Sequence, residues 1–421
     1  MPVPVLNRMR SALVGRQMNP PVRPRDLKPY AAAIAFFGHD ASEPTIIKRI
    51  TGLIAEGCLV IGFTFRRKRS DVGPASPPIW ANVDLGVTTD RNYLRRIPHL
   101  VIAIPKILAR RDLLLRADIL YARNLDQALI ALVVRRLARL HVPLVYEVLD
   151  IQRVCTSPGL LGRAIRFVER QVLARSALLV ISSPRFYTSY FRAVQWYRGP
   201  WYLLENKVGP GTYRGDVVRP PAPLPWVIGW SGVLRCRRSL SILVEIAARL
   251  GPKIRIVLRG RLSPCDISAA DLASASARCP NLAFNGPYDS PTDLGAIYGG
   301  VHFTWAVDYT DAGFNSDWLI PNRVYEGGLH GTVMLARSDT ATGDLVKKLE
   351  LGWTFQEPLA DGVVACLEHL NSQAYQAARR RVEAVPWSCF VDEKDTAGLL
   401  AKLGLATKAV RAETQPCPSS A

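Results

Sequence analysis

Three arginines stand between a predicted strand and a predicted helix in VIGWSGVLRCRRSLSILVEIAARL, residues 227–250. They are Arg235, Arg237 and Arg238. The strand is predicted to end before a tight turn at Ser231 and Gly232, and Ser239 is predicted to cap the helix. Backbone N–H groups, a helix N-terminus and guanidinium groups at one point favour a bound phosphate. The alternative interpretation is a basic surface loop in contact only with solvent.

A lone acid, Glu326, precedes two glycines in PNRVYEGGLHGTVMLARSD, residues 321–339. Pro321 is predicted in the first turn of a helix, Gly331 is predicted to end it, and TVMLA is predicted to follow as a buried strand. A carboxylate can accept two hydrogen bonds from a vicinal diol such as a ribose, and a hydrogen bond to a charged group contributes about 1.5–3 kcal/mol. The two glycines disfavour a regular helix, which indicates close approach of another backbone or a ligand. The alternative is an acid placed only for the helix dipole.

Two polar clusters also follow predicted strands in the first half of the chain. His39 comes directly after a strand in FFGHDASEPTIIKRI, and Glu147 and Asp150 follow another in YEVLDIQRV. Loops after parallel strands carry ligands, so these side chains are predicted to face an acceptor hydroxyl or phosphate. The alternatives are a structural histidine and two helix-capping acids.

Basic and apolar residues alternate in RRIPHLVIAIPKILARRDLLLRAD, residues 95–118. The pattern favours a segment that lies on an anionic membrane surface. FRRKRS, residues 65–70, adds a loop of the same charge. The alternative is an ordinary amphipathic helix packed on a sheet.

The net charge of +19 is unevenly distributed. Residues 1–210 carry 32 Lys/Arg against 14 Asp/Glu, whereas residues 211–421 carry 22 against 21. The first half therefore suits an anionic bilayer or a lipid diphosphate. A nucleic-acid partner is not predicted, because the sequence has no basic groove with interleaved aromatic residues and no recognisable binding module.

The eight cysteines are scattered, with neither a CxxC pair nor a Cys/His cluster at metal-ligand spacing. They are interpreted as reduced thiols of a cytosolic protein, and no metal site is predicted. The first 30 residues lack the apolar core of a signal peptide. No run approaches 18 uninterrupted apolar residues, so no membrane span is predicted.

Short apolar runs rich in β-branched and aromatic residues alternate with helical patterns such as residues 127–140 and 161–176. This alternation predicts parallel sheets covered on both faces, and hence an α/β fold with two doubly wound, Rossmann-like domains. The predicted strands are residues 33–37, 59–65, 118–122, 143–147, 177–182, 201–206, 226–230, 254–260, 282–286, 301–307 and 332–336.

A stretch with five prolines and three glycines, GPGTYRGDVVRPPAPLP, separates the two halves. It predicts an interdomain linker, and a ligand cleft is predicted between the carboxyl ends of the two sheets. The predicted divisions are a basic extension at 1–30, a first Rossmann-like domain at 31–208, the linker at 209–225, a second Rossmann-like domain at 226–385, a helical segment at 386–405 that crosses back to the first domain, and a disordered tail at 406–421.

The turn that opens the second domain and the PNRVYEGG element together resemble those of the family-4 glycosyltransferases of the GT-B fold. Within them the chain is similar to enzymes that build exopolysaccharides of the succinoglycan type. The resemblance covers most of residues 30–405 in element order. Gly232 matches the glycine of the family's phosphate-contacting turn, and Arg238 matches its lysine. Val233 stands at the usual first basic position, and Arg235 is expected to replace that residue.

The P-x-K/R-x-x-E element of the family is matched by Pro321, Arg323 and Glu326, with Asn322 between them. The resemblance implies that Glu326 binds the ribose of the donor. Two further elements match: YEVLD resembles an acidic element of the first domain, and Asn206 in LLENK matches the turn before the linker.

The family commonly carries a second glutamate eight positions earlier, and Trp318 stands there in this chain. The nearest carboxylates are Asp311 and Asp317. The resemblance therefore leaves these two as candidates for contact with the donor sugar.

The resemblance implies transfer of a hexose, with retention, from a nucleotide diphosphate sugar to a polyprenyl-diphosphate-linked oligosaccharide. The expected donor is UDP-glucose or another UDP-hexose, and no other cofactor is expected. Arg238 and Glu326 are the expected catalytic residues, and Arg235 and Arg238 are expected to stabilise the departing diphosphate. The implied location is the inner face of the cytoplasmic membrane, by peripheral association. A sugar-nucleotide epimerase and a noncatalytic scaffold of the same fold are the alternatives.

Overall fold

The computed structural model describes residues 30–67, 78–88, 93–212, 225–290 and 292–405. Four predicted features lie wholly or largely outside the described residues: the extension at 1–30, the end of the basic loop at 65–70, most of the linker at 209–225 and the tail at 406–421. From Ala31 onward the chain forms a single unit, which contains two sheets.

Seven parallel strands form the sheet of the first lobe. They are β1 (Ala33–Gly38), β2 (Leu59–Arg67), β3 (Ala81–Thr88), β4 (Ile119–Arg123), β5 (Leu144–Val148), β6 (Leu178–Ile181) and β7 (Trp201–Leu203). Their order is β3-β2-β1-β4-β5-β6-β7. Strand β1 pairs with a neighbour on each side, for example Phe36 with Gly62 and with Tyr121. It is completely buried, as expected of a strand inside a parallel sheet.

The helices of the first lobe cover both faces of this sheet. They are α1 (Pro44–Ala55), α2 (Tyr93–Leu108), α3 (Arg111–Leu114), α4 (Leu125–Leu137), α5 (Arg153–Thr156) and α6 (Leu160–Leu173), followed by a π-helical turn at Phe186–Arg192. Each face has its own apolar core, with Phe37 and Leu120 in one and Phe36 and Ile119 in the other. Helix α1 begins shortly after β1 ends, so its first turns lie near the carboxyl end of that strand.

Six parallel strands form the sheet of the second lobe. They are β8 (Trp226–Leu234), β9 (Ile254–Leu262), β10 (Leu282–Phe284), β11 (Phe303–Trp305), β12 (Val333–Arg337) and β13 (Gly352–Phe355). Their order is β10-β9-β8-β11-β12-β13. The two parallel, helix-covered sheets confirm the predicted α/β fold class.

The helices of the second lobe are α7 (Arg237–Leu250), α8 (Ala269–Arg278), α9 (Leu294–Gly299), α10 (Asn315–Trp318), α11 (Asn322–Leu329), α12 (Ala341–Lys348), α13 (Leu359–His369) and α14 (Ser372–Ala384). The chain then returns to the first lobe. Val391 forms a parallel bridge with Val208, and helix α15 (Asp395–Lys402) places Leu399 and Leu400 in the first lobe's core.

Strand β8 does not end at the predicted turn. It stays in register with β9 as far as Leu234, and this ladder carries the backbone straight through Ser231 and Gly232. Helix α7 begins at Arg237, where the sulfur of Cys236 accepts a 3.3 Å hydrogen bond from the backbone N–H of Ser239. The prediction that Ser239 caps the helix is therefore wrong, because Cys236 is the capping residue.

Helix α2 carries the predicted membrane-facing segment. Ala103 and Ile107 are buried in the first lobe's core, so one side of the helix packs as an ordinary amphipathic helix. Its outer side exposes apolar residues, since Ile97 is 50%, Val101 58% and Ile102 57% accessible. Nowhere in the described parts of the chain is a helix both long and apolar enough to cross a bilayer.

Candidate active site between the two lobes

The carboxyl ends of the two sheets bring charged side chains from both lobes together. The second lobe contributes residues that follow β8 and β11 or lie on α11, and the first lobe contributes residues of α1 and of the loop after β5. These are Arg235, Asp308, Arg323 and Glu326 from the second lobe, and Lys48 and Asp150 from the first. Converging charges at such an edge are the expected setting for a polar ligand.

Glu326 lies on α11 and is partly buried. Its carboxylate accepts a 2.7 Å hydrogen bond from the Tyr298 hydroxyl. Burial raises the pKa of Glu326, while the Tyr298 hydrogen bond and the positive charges of Lys48 and Arg323 act in the opposite direction. The acid is therefore held in place by one donor and surrounded by cations, as a ligand-binding carboxylate requires.

Lys48 reaches this acid from the other lobe. Its ammonium group donates a 2.8 Å hydrogen bond to the backbone carbonyl of Asn206. Burial lowers the pKa of Lys48 to about 7, although attraction to Glu326 opposes the change. A lysine that titrates near neutral pH therefore faces Glu326 across the cleft.

Two motifs of the sequence resemblance meet at the base of the cleft. The side-chain amide of Asn206 donates a 2.5 Å hydrogen bond to the side-chain carbonyl of Asn322. The Tyr325 hydroxyl, on the same helix as Asn322, donates to the carboxylate of Glu205, the residue before Asn206, at 3.0 Å. Helix α11 is thus fastened to the end of the first lobe, which fixes where Glu326 points.

The glycines after Glu326 are explained by close packing. A β-carbon on Gly327 would lie 2.6 Å from the hydroxyls of Thr304 and Thr332, and one on Gly328 would overlap the ring of Phe390. The helix nevertheless continues to Leu329. A close approach exists at both glycines, but its partners are side chains of the protein and not the predicted second backbone or ligand.

Arg323 is buried and holds the carboxyl ends of two strands. It donates to the carbonyls of Val307 at 2.9 Å and Ser231 at 3.5 Å. Asp308 follows Val307, and although burial would raise its pKa, attraction to Arg323 and Arg235 lowers it. Arg323, predicted to touch the donor, positions Asp308 and the β8 backbone in this structure.

The three arginines after β8 point to different partners. A guanidinium nitrogen of Arg235 lies 3.8 Å from Asp308, and Arg238 forms a 2.9 Å ion pair with Glu357. The Arg238 guanidinium also lies 4.2 Å from the centre of the Tyr309 ring. All three arginines line a groove of about 270 Å³, large enough for a phosphate group, and Arg235 and Arg238 are the two that are not paired with Asp271.

Arg237 is committed to helix α8. It forms two hydrogen bonds with the Asp271 carboxylate, of 3.0 and 3.2 Å, and Asp271 belongs to the capping box of that helix. The exposed turn predicted at Gly232 does not form, because Gly232 lies inside β8 and pairs with Gly260 of β9. Val233 is 53% exposed but carries no charge, so the binding of a phosphate in this groove depends on Arg235 and Arg238.

The two acids near Trp318 are already engaged. Asp317 accepts hydrogen bonds from Arg337 at 2.8 Å and from the Gly313 backbone at 2.9 Å. Asp311 accepts from Arg153 of the first lobe at 3.0 Å. Asp317 therefore shapes the loop after β11, and its contact with the donor sugar stays a prediction.

Trp318, which stands at the position of the family's glutamate, packs between the two lobes. Its ring packs beside Phe314 and Tyr190, at centroid distances of 6.0 and 6.5 Å, and its carbonyl accepts a hydrogen bond from Ser183. The residue at this position thus joins the second lobe to the apolar surface of the first.

The predicted acceptor residues occupy three different environments. His39 has partners at both ring nitrogens, with Glu43 at 2.5 Å and the Asn124 amide at 3.2 Å. Asp150 is exposed and accepts a 3.1 Å hydrogen bond from Asn315 of the second lobe. Asp150 therefore remains at the cleft, whereas His39 organises the loop after β1.

Glu147 is fully buried, so the prediction that it faces the acceptor is wrong. Arg49 lies 2.9 Å from its carboxylate, and Arg123 lies 3.7 Å away. Burial would raise the pKa of Glu147, but the two arginines outweigh that effect and lower it. A buried carboxylate requires such partners, which explains why it points inward. In the described structure the guanidinium of Arg123 has no hydrogen-bond partner.

No group of three or more acidic, cysteine or histidine side chains suited to a metal ion occurs among the described residues. No protein-family model matches the chain. The succinoglycan biosynthesis protein ExoL of Rhizobium meliloti strain 1021 is 34% identical over 384 residues, which are 89% of this chain and 94% of ExoL. The chain belongs to the ExoL family.

Solved structures show the fold of this ExoL-family chain. Sucrose-phosphate synthase from Thermosynechococcus elongatus is 16% identical with a TM-score of 0.65, and the match covers 88% of this chain and 98% of that one. Anabaena HepE in complex with UDP and glucose is 15% identical with a TM-score of 0.62, covering 89% and 99%. The predicted GT-B glycosyltransferase fold and the succinoglycan-type resemblance are confirmed.

Several residues of the ExoL-family cleft escaped the sequence reasoning. Asp308 directly follows the predicted strand at 301–307, so its position alone could have nominated it. Lys48 lies in the same stretch as His39 but was not itself singled out, and Tyr298 and Glu357 lie in segments with no motif. Their roles depend on long-range packing, which no local pattern encodes.

Proposed function

We propose that this chain transfers a hexose from a UDP-sugar to a hydroxyl of a polyprenyl-diphosphate-linked saccharide, with retention of anomeric configuration. The reaction belongs to exopolysaccharide assembly. The proposed location is the inner face of the cytoplasmic membrane, by peripheral association.

The observation that carries the proposal is the pairing of Glu326 with the arginine groove. An anchored carboxylate can hold a ribose diol, and Arg235 and Arg238 can hold the diphosphate beside it. Arg323 is a charged neighbour of both Arg235 and Glu326 and joins the two parts. Their arrangement along one sheet edge matches the order of ribose and diphosphate in a nucleotide sugar.

The proposed chemistry uses charge stabilisation. The bond between the sugar C1 and the diphosphate oxygen breaks, and the acceptor oxygen bonds to C1 on the same face. The acceptor proton passes to the departing phosphate oxygen. Arg235 and Arg238 stabilise the negative charge that grows on the diphosphate, an effect that acts most strongly in the transition state.

Two comparisons support the choice of substrates. HepE has been solved with UDP and glucose, which supports a UDP-hexose donor. ExoL is a succinoglycan biosynthesis protein, which supports a saccharide acceptor of an exopolysaccharide pathway. The basic first half and the exposed apolar side of α2 support contact with an anionic membrane.

A panel of UDP-, GDP- and ADP-sugars tests the donor by thermal stabilisation of the purified protein. A ligand present at 100 times its Kd stabilises the folded state by about 2.7 kcal/mol, so a bound donor raises the Tm measurably. We expect UDP-hexoses to do so, and Glu326→Gln to reduce the shift. A panel without any shift contradicts the proposal, and conversion of the free donor to an epimer without acceptor identifies an epimerase instead.

A further inference from the structure

A second, larger groove opens beside the cleft on the first lobe. It has a volume of about 930 Å³ and lies between helix α6, the turn after residue 193 and the loop that follows β11. Its apolar lining residues come from both lobes and include Leu160, Phe167, Trp196, Phe314 and Trp318.

The apolar side chains of this groove are unusually exposed. Leu160 is 81%, Phe167 59% and Trp196 68% accessible. Single exposed apolar residues are common on proteins, but a contiguous apolar surface marks a binding site. The same surface is concave, so it suits one inserted chain better than a flat bilayer.

Trp196 is held in an unfavourable backbone conformation. Its φ of 56° lies in the left-handed region, which bulky side chains avoid. The guanidinium of Arg170 lies 4.4 Å from the centre of its ring and also donates to the carbonyl of Val194 at 3.1 Å. The protein therefore fixes an exposed aromatic ring at the groove wall, as functional sites often do.

A buried hydrogen-bond network supports that wall from below. The Glu169 carboxylate accepts hydrogen bonds from the hydroxyls of Tyr146, at 2.8 Å, and Tyr190. It also accepts one from the side-chain amide of Gln195, next to Trp196. The turn that carries the tryptophan is thus attached to helix α6, and the groove is formed before any ligand arrives.

The charged residues of the groove are all basic. Arg163, Arg166 and Arg170 line it, and no acidic residue of the described chain does. Arg163 is exposed, whereas Arg166 donates to the carbonyls of Cys155 and Ser157 at 2.9 and 2.6 Å. The groove therefore combines an apolar lining with basic side chains.

The groove lies next to contacts between the two lobes. Phe314 and Trp318 line it, and Asp311 and Asn315 of the same segment contact Arg153 and Ile151 of the first lobe. One segment of the chain, residues 308–318, therefore contributes to both the cleft and the groove.

We propose that this groove binds the isoprenoid chain of an anionic lipid acceptor, with its diphosphate at Arg163. This inference rests on the proposed function, since it locates the lipid end of the acceptor named there. A bilayer surface is the competing occupant. It fits the convex outer side of α2 better than this concave groove.

Binding of farnesyl diphosphate to the full-length protein, without detergent or vesicles, tests the proposal. Inorganic pyrophosphate and farnesol serve as the two half-ligands. We expect farnesyl diphosphate to bind at least about tenfold more tightly than either, because each half contributes its own contacts. We expect Phe167→Ser to weaken its binding about tenfold and Arg163→Glu to weaken it by a similar factor.

Ile102→Ser on α2 is the matched control, because Ile102 is 57% exposed and Phe167 is 59% exposed. We expect this control to bind farnesyl diphosphate like the wild type, and all three variants to keep the wild-type Tm. Equal binding of pyrophosphate and farnesyl diphosphate would overturn the proposal. Unchanged farnesyl diphosphate binding in Phe167→Ser would also overturn it, even if that variant lost its binding to phosphatidylglycerol vesicles in a separate assay.

UDP binding, measured on the same samples, separates this inference from the proposed function. We expect Phe167→Ser to bind UDP normally. If the wild type binds farnesyl diphosphate but not UDP, the proposed transferase function is contradicted and the proposed lipid-binding groove is not. If the wild type binds UDP but not farnesyl diphosphate, only the proposed lipid-binding groove is contradicted.

Discussion

The Tyr298 hydroxyl donates a 2.7 Å hydrogen bond to the Glu326 carboxylate and joins helix α9 to helix α11. The bond fixes the orientation of an acid whose pKa is raised by burial. Tyr298 therefore sets the position of this carboxylate, and the same hydrogen bond, together with the charges of Lys48 and Arg323, favours its ionised form.

Glu326→Gln should weaken UDP-sugar binding by about 10- to 100-fold, because a hydrogen bond to a charged group contributes about 1.5–3 kcal/mol. Tyr298→Phe removes only the supporting bond and should weaken binding by about 2- to 10-fold. Isothermal titration calorimetry with UDP-glucose measures both. Equal affinities for the wild type and Glu326→Gln would remove Glu326 from the donor site.

Lys48→Met should move the acid limb of donor binding to higher pH. The Lys48 cation opposes the burial that raises the pKa of Glu326, so its removal raises that pKa further. The carboxylate is then lost at a higher pH as the solution is acidified. Since Lys48 itself has a pKa of about 7, the difference from the wild type should be largest below pH 7.

Donor Kd values from pH 5 to 9 measure this shift. Lys253→Met is the control, because Lys253 is exposed and directly precedes β9, at the amino end of the strands and away from the cleft. Tyr298 and Arg323, the other groups that influence Glu326, remain in both variants. Superimposable profiles for Lys48→Met and the wild type would show that Lys48 does not influence the donor site.

Arg238→Ala should lower kcat by about a hundredfold, the low end of the range for removing one group that stabilises developing charge. Its neighbour provides a matched control, because Arg237 is paired with Asp271 on α8. Arg237→Ala should keep kcat and lose at most about 1 kcal/mol of stability, as is usual for exposed ion pairs. Initial rates with the UDP-sugar that gives the largest thermal shift measure kcat for both variants. Equal losses of kcat in Arg237→Ala and Arg238→Ala would contradict the catalytic assignment of Arg238.

Gly328→Ala should destabilise the protein by about 1–3 kcal/mol, because the new methyl group overlaps the Phe390 ring. Gly295→Ala on α9 meets no atom within 4 Å and should be neutral or stabilising by up to about 1 kcal/mol. Urea unfolding followed by circular dichroism measures both free energies. A neutral Gly328→Ala would show that Phe390 moves aside without cost.

Local sequence patterns predicted the inner strands and two of the four edge strands, β7 and β10. The other two edge strands, β3 and β13, went unrecognised. An edge strand is only partly buried, so it needs no continuous apolar run. The end of β8 was misplaced at Trp230 because the Ser-Gly pair that follows is typical of a turn, whereas pairing with β9 carries this strand onward.

The site shows the same division between local and long-range information. Glu326 and Asn322 were found because they lie within one short element. Lys48 escaped prediction because it lies 278 residues before Glu326 in the sequence. The two come near each other only through the packing of the two lobes. The burial of Glu147 depends likewise on Arg49 and Arg123, which arrive from different elements.

The return of the chain to the first lobe has a mechanical consequence. Among the described residues, Val208 at the end of the first lobe pairs with Val391, which lies on the segment that returns from the second lobe. Two chain segments held together at one point leave rotation about that point as the least constrained movement between the lobes. We expect the cleft to open by this rotation, so that Lys48 and Glu326 separate and approach again along one path.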